Sequence, residues 1–274
     1  MTLDWTSSPT SGMHVNGVTL EYRCYGPPPE DGLAIVLLHE GLGCVALWRE
    51  FPERLADRTG LPVLAYSRAG YGASDPVDLP RPLDYMTREA QDVLGGVIDA
   101  SGLGSVILLG HSDGATIAAI YGGYVSDLRV RGLILIAPHF FAEPSGIATI
   151  HAARDSYLSG TLRAKLAKYH SHPDVAFNGW YQAWTDPGFA NWNVADAIDH
   201  LRIPVLAIQG RDDAYGTPAQ ITEIESRIYA PLETLVIDGC GHDPHLEKPD
   251  VTLGAISDFC ARLNRLERDH VALS

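Results

Sequence analysis

Gly110-His111-Ser112-Asp113-Gly114 stands between two unlike stretches of the chain. Before it runs Ser105-Val106-Ile107-Leu108-Leu109, a short apolar segment closed by glycine, which reads as a buried strand. After it runs Ala115-Thr116-Ile117-Ala118-Ala119-Ile120, whose small side chains suit a helix packed closely on a sheet. The pattern between them is G-x-S-x-G. A strand that becomes a helix over one residue forces that residue into a sparsely populated backbone conformation. Glycines two before and two after the serine remove the Cβ atoms that would collide in such a turn. The turn lifts the Ser112 hydroxyl clear of the sheet edge and leaves the Asp113 N–H free to donate at the positive end of a helix. Alone the pattern is weak, because a glycine-rich turn with no chemistry satisfies it equally well.

Working outward, strands and helices alternate. Ala34-Ile35-Val36-Leu37-Leu38, Pro62-Val63-Leu64-Ala65-Tyr66 and Gly132-Leu133-Ile134-Leu135-Ile136-Ala137 are continuous apolar runs, as expected of strands covered on both faces. Helices are expected over 45–58, with Leu47, Phe51 and Leu55 on one face, and over 86–100. Asn16-Gly17 between alternating apolar residues marks a hairpin, with Met13-His14-Val15 on one side and 18–25 on the other. Residues 1–11 read as a loose leader. The rhythm breaks over 140–200, where helix formers and aromatics such as Tyr157, Phe177, Trp180, Trp184 and Trp192 replace strands. It resumes with Pro204-Val205-Leu206-Ala207-Ile208, a helix over 218–229, Glu233-Thr234-Leu235-Val236-Ile237 and a terminal helix over 249–266. The pattern predicts an α/β fold with a parallel sheet. Its core is formed by 1–139 and 201–274, with a helical lid over 140–200 lying across the strand ends.

Composition narrows the functional classes. The chain has 274 residues, 46% of them hydrophobic, enough for a full core. A formal net charge of −14 argues against nucleic acid or an anionic membrane surface as partner. No apolar stretch approaches the roughly 18 residues that a membrane span needs, and the N-terminus lacks the apolar core of a secretory signal. Cys24, Cys44, Cys240 and Cys260 match no zinc or redox spacing and are expected to be buried free thiols in a reducing cytoplasm.

A serine needs a base to become a nucleophile, and the base needs an orienting partner. Two strand ends after the lid offer both, in Gln209-Gly210-Arg211-Asp212-Asp213 and in Asp238-Gly239-Cys240-Gly241-His242-Asp243-Pro244-His245. All C-terminal strand ends of a parallel sheet lie on one edge, so Ser112, Asp213 and His242 are expected to converge there, in the order Ser, Asp, His. Asp212 and His245 are the competing choices. Residue 213 is preferred because one residue of shift points its neighbour elsewhere, and His245 reads as a rim or supporting residue. His111 is expected beneath the elbow rather than in the chemistry.

In these motifs the chain resembles the α/β-hydrolase fold, over nearly its whole length. Gly210-x-x-Asp213 matches that family's acid loop and Gly241-His242-x-Pro244-x-x-Glu247-x-Pro249 its histidine loop. Arg68-x-Gly70-x-Gly72-x-Ser74 matches the loop after the fourth strand, and His39-x-Gly41-x-Gly43 is similar to the oxyanion loop. The resemblance implies a mostly parallel eight-stranded sheet flanked by helices. It implies that Ser112 attacks, His242 shuttles the proton, Asp213 holds the imidazole, and the amides of Gly41 and Asp113 receive the oxyanion. His39 is expected to tie the oxyanion loop through a side-chain hydrogen bond. Leu42, His139, Phe140, Trp180 and Trp184 are expected on the pocket wall. No metal or cofactor is implied.

Two departures stand out. Glu40 occupies a position where the family usually has glycine, and its carboxylate must be exposed or paired, an arginine being one choice of partner. Asp113 follows the nucleophile, either as a first-turn acid on the helix dipole or as an anion favouring cationic substrates such as aminoacyl esters, as in valacyclovir hydrolases, which look similar here. The expected activity is cleavage of a carboxylic ester or thioester of a small apolar substrate through an acyl-serine. The alternatives are a carbon–carbon bond hydrolase of ring-fission products, for which Arg68 is the candidate to meet a dicarboxylate, and a non-catalytic relative that binds a small ligand. The substrate and the oligomeric state, a homodimer among the options, are not legible.

Overall fold

The computed structural model describes residues 3–5, 10–29 and 32–273; the leader expected over 1–11 falls largely outside them. Eight strands form one sheet: β1 Ser11–Val15, β2 Val18–Tyr25, β3 Leu33–Leu38, β4 Val63–Tyr66, β5 Ser105–His111, β6 Val130–Ile136, β7 Val205–Gly210 and β8 Leu232–Ile237. Their order is β1-β2-β4-β3-β5-β6-β7-β8. β3 to β8 are mutually parallel, and β2 runs against both of its neighbours. The hairpin turns on Asn16 and Gly17, both at positive φ as such two-residue turns require.

The continuous apolar runs are explained by burial on both faces. In β5, Val106 and Leu108 join one core while Ile107 and Leu109 join the other. In β3, Ala34, Val36 and Leu38 alternate with Leu33, Ile35 and Leu37 in the same way. The second core is closed by α1 (Phe51–Thr59) and by the last helix. The first is closed by a helical stretch comprising α2 (Tyr85–Arg88), a π-helical turn over Glu89–Leu94 and α3 (Gly95–Ser101), and by α4 (Asp113–Tyr124). Helix α4 is buried from Asp113 to Tyr121, which is why its residues are small.

Between β6 and β7 lie α5 (Pro144–Leu158), α6 (Thr161–Leu166), α7 (Pro173–Thr185), a 3₁₀ turn over Pro187–Asn191 and α8 (Asp196–Asp199). The two ends of this segment are joined by a bridge between Phe141 and Asn193, flanked by the Ala142 N–H to the Trp192 carbonyl at 3.1 Å and the Val194 N–H to the Phe140 carbonyl at 2.7 Å. After β7 and β8 come α9 (Ala219–Arg227), α10 (Pro244–Glu247) and α11 (Pro249–Leu273). Among the described residues, no helix is long and apolar enough to cross a membrane.

One expected element differs. The helix over 45–58 is broken: a 3₁₀ turn covers Val45–Trp48, Arg49 takes a positive φ, and α1 starts at Phe51. Pro52 is the cause, since its ring would collide with the carbonyl four residues back and it has no N–H to donate. Trp48, not Leu47, therefore enters the core beside Phe51. All four cysteines are buried free thiols, as expected. Burial pushes Cys24, Cys44 and Cys260 up to about 12, which keeps them unreactive.

One of the tightest backbone contacts among the described residues is where α4 meets β3. A Cβ on Gly114 would come 2.0 Å from the Leu38 carbonyl oxygen, a backbone atom that cannot step aside. Gly114→Ala should therefore lower the urea midpoint, with a stability loss of about 2 kcal/mol or more. A midpoint equal to that of the parent chain would contradict this packing.

Candidate active site

The ends of β3 to β8 deliver six loops to one edge, and the expected residues meet there. Ser112 sits at φ 53° and ψ −118°, a conformation that side chains other than glycine rarely adopt. It is held by its own N–H, which bonds the Ile136 carbonyl at the end of β6 at 2.9 Å, and by Ala115 and Thr116, whose amides bond its carbonyl. Its hydroxyl makes no hydrogen bond to a described residue and lines a cavity of about 190 Å³ together with the His242 ring. Catalytic hydrogen bonds are commonly open without substrate and tighten only in the complex.

His242 Nδ1 lies 2.7 Å from Asp213 Oδ2. The acid is held on every side: Oδ2 also accepts from Gln209 Nε2 at 2.7 Å, and Oδ1 accepts the amides of Tyr215 at 2.8 Å and Gly216 at 3.3 Å. Burial alone would raise this carboxyl, but the bonds and the imidazole outweigh it and hold it below the ordinary carboxylate range. An ionised Asp213 fixes the proton on Nδ1 and leaves Nε2 as the basic nitrogen. Asp212 is exposed, and His245 is buried among Trp48, Phe51 and His111.

The oxyanion loop is clamped from beneath. The Arg68 N–H donates to His39 Nε2 at 3.0 Å, so the ring proton sits on His39 Nδ1, which donates to the Glu40 carbonyl at 2.7 Å. Burial and the Arg68 charge push His39 well down, keeping it neutral in this double role. The buried Arg68 guanidinium donates to the carbonyls of His39 and, at 3.1 Å, of Glu40. The Glu40 carbonyl and the Gly41 amide belong to one planar trans peptide. Anchoring the oxygen to His39, Arg68 and the Gly43 N–H therefore turns the Gly41 N–H the opposite way, and Gly41 lines the cavity. Neither the Gly41 nor the Asp113 amide has a hydrogen-bond partner among the described residues. Gly41 cannot carry a side chain, because a Cβ would lie 2.3 Å from the indole edge of Trp180.

The Asp113 carboxylate turns into the protein. Its Oδ2 accepts the Tyr85 hydroxyl and lies 3.8 Å from Arg68 Nη2, and Tyr85 in turn accepts from Trp184 Nε1 at 3.0 Å. Burial pushes this carboxyl up while Arg68 and Tyr85 oppose the shift. Arg68 and Tyr85 both face Oδ2, while Oδ1 is buried without a hydrogen-bond partner among the described residues. Arg68 in turn is spent on the loop carbonyls and does not line the cavity, so it offers nothing to an anionic substrate.

Leu42, His139, Trp180 and Trp184 stand on the cavity wall as expected. Phe140 does not: it is wholly buried in the first core, with its N–H bonded to Gln220 Oε1 at 2.8 Å, because the chain alternates sides one residue past His139. Glu40, Ile150, Tyr215 and Asp243 also line the cavity, none of them anticipated there. Burial and the neighbouring His242 push His139 down to about 3, so it faces the cavity as a neutral ring. Also unanticipated is His170, whose ring accepts from the Gly72 N–H at 2.9 Å and donates to the Leu42 carbonyl at 3.0 Å, tying the helical segment to the oxyanion loop. His111, Asp243 and His245 offer ligand atoms spread up to 4.8 Å apart, wider than the ~3.4 Å between ligands on a tetrahedral zinc.

Residues 35–255 match the model of the alpha/beta hydrolase family, and the chain belongs to that family. Among curated relatives it is 25% identical to a proline iminopeptidase of Lactiplantibacillus plantarum over 242 residues, 73% of this chain and 83% of that protein. It is 23% identical to a 2-(acetamidomethylene)succinate hydrolase of Mesorhizobium japonicum over 270 residues, 89% and 92% of the two chains. Among solved structures, an esterase of Thermogutta terrifontis superposes with a TM-score of 0.73 at 19% identity, covering 94% of this chain and all of that one. That likeness shows the shared fold.

Removing the clamp should be costly. Arg68→Met leaves Asp113 buried without its ion-pair partner and frees the Glu40 carbonyl of one of its three donors, the others being His39 Nδ1 and the Gly43 N–H. The expected result is a stability loss of about 3 kcal/mol or more together with a larger fall in kcat than rise in KM for any substrate the protein turns over. An unchanged kcat in the folded variant would show that the clamp does not orient the Gly41 amide.

Proposed function

We propose that this chain is a serine hydrolase that cleaves a carboxylic ester, or a thioester, of a small and largely apolar substrate through an acyl-Ser112 intermediate. The observation that carries the reading is the 2.7 Å contact of His242 Nδ1 with Asp213, on the same small cavity as the Ser112 hydroxyl. In the mechanism, His242 Nε2 takes the hydroxyl proton as Ser112 Oγ bonds to the acyl carbon, and the Gly41 and Asp113 amides receive the oxyanion. The imidazolium, steadied by Asp213, returns its proton to the leaving alkoxide or thiolate. Water then repeats the sequence on the acyl-enzyme, releasing the acid and restoring Ser112.

Size and charge narrow the substrate. A cavity of about 190 Å³ lies below the ~300–1,000 Å³ of sites for drug-sized ligands, which favours a short acyl or alkoxy group. Its walls carry Trp180, Trp184, Tyr215, Ile150 and Leu42, with the acidic residues Glu40, Asp113 and Asp243 and no described lysine or arginine. A dicarboxylate, such as the succinate named for the Mesorhizobium relative, would find no lysine or arginine among the described lining residues to receive it. This lining disfavours the carbon–carbon hydrolase of acidic ring-fission products.

The test is a panel of chromogenic esters and thioesters of rising acyl length, with a dicarboxylate enol substrate and an α-amino ester alongside, run on the parent chain and on Ser112→Ala. Turnover of short neutral esters that falls by about 10³ or more in Ser112→Ala is expected. Turnover of the dicarboxylate alone, or equal ester turnover in both proteins, would overturn the reading.

A further inference from the structure

His111 is a buried titratable group beside the nucleophile that the mechanism above leaves unused. It lies wholly within the protein, one residue before Ser112. Its Nε2 is 2.8 Å from the His242 carbonyl oxygen, which has only lone pairs, so Nε2 carries a proton and donates. Its Nδ1 has no hydrogen-bond partner and faces Glu40 Oε2 at 3.7 Å, too far for a hydrogen bond and close enough for an ion pair. A neutral ring would point a lone pair at that carboxylate. A proton there turns the repulsion into attraction. The Asp243 carboxylate, 3.8 Å from Nε2, adds to the same preference.

We propose that His111 is a positioning residue, held as a buried imidazolium that ties Glu40 on the oxyanion loop to the backbone of the His242 loop directly beneath the nucleophile. One ring thereby fixes the spacing between the loop that supplies the Gly41 amide and the loop that supplies the base. It also explains why a carboxylate is tolerated at position 40, since its charge is answered by His111 rather than turned on the developing oxyanion. The kinetic consequence rests on the hydrolase reading; the charge state does not.

The groups facing the ring are Glu40 from the oxyanion loop, His242, Asp243 and His245 from the histidine loop, and His139 from the loop after β6. Burial pushes His111 down, but Glu40, Asp243 and the His242 carbonyl outweigh it and hold the imidazole above its ordinary range. Glu40, which burial would raise, is correspondingly held low by His111. His245 and His139 are both pushed down and stay neutral, so they do not compete for the proton. A group raised on folding contributes stability that is whole below its ordinary pKa and is lost as pH rises through the raised value.

The test pairs an imidazole titration by NMR, which needs no activity, with the pH profile of kcat. In the parent chain His111 should titrate above the ordinary ~6.5 of histidine, and kcat should fall several-fold as pH rises through that same midpoint. Glu40→Gln should lower the midpoint by about one pH unit or more and carry the fall in kcat down with it. His111→Gln, whose amide can still donate to the His242 carbonyl but cannot titrate, should lose that alkaline fall. A midpoint at or below the ordinary value in the parent chain, or one unmoved by Glu40→Gln, would overturn the proposal. So would an alkaline fall in kcat that persists in His111→Gln. Absence of ester turnover in the parent chain would count against the hydrolase reading and leave the titration to decide the charge state.

Discussion

The strained backbone at Ser112 is the constraint on which the rest of the site depends. A positive φ at a serine costs about 1–3 kcal/mol and persists only where its surroundings over-determine it. Here three restraints do so. The Ser112 N–H is bonded to the end of β6, helix α4 begins at the next residue, and Gly114 lets that helix press against the β3 backbone. The same tightness sets the positions of the other loops. Because β3 and β6 flank β5 directly, the oxyanion loop and the His139 loop emerge on either side of the elbow.

Charge is organised as two buried relays running out from that elbow. On one side Arg68 binds the carbonyls of residues 39 and 40 and stands against Asp113, whose own amide faces the cavity. On the other, Asp213 receives four hydrogen bonds so that its carboxylate can be buried beside His242 without losing ionisation. In each case a cost of burial is offset by several directed bonds rather than by one ion pair, as a buried charge requires. No described lysine or arginine lines the cavity, so neither relay offers a cation to what binds there.

Much of this was legible in the sequence because it depends on local pattern. The two-sided burial of β3 and β5 follows from unbroken apolar runs, and Asp213 rather than Asp212 fits the spacing that the resemblance implies for the acid loop. The broken helix before α1 was legible too: Pro52 carries the signal, but the apolar spacing of Leu47, Phe51 and Leu55 masked it. What could not be read depends on partners far apart along the chain. Gln209 reaches Asp213 from the end of β7, His170 ties Gly72 to Leu42, and Glu40 finds His111 instead of an arginine. Phe140 was misplaced on the pocket wall because which side of the chain faces a cavity is set by the crossing of segments on either side, here the pairing of residues 141 and 193.

The central claim is that the hydroxyl at position 112 is a nucleophile made so by His242 and Asp213. Peptide mass mapping after treatment with a fluorophosphonate tests it most directly. A single adduct on Ser112, formed by the folded protein and strongly slowed in a His242→Gln variant that retains its fold, is the result the account predicts. An unlabelled Ser112 in folded protein, or labelling that proceeds equally well without His242, would contradict it.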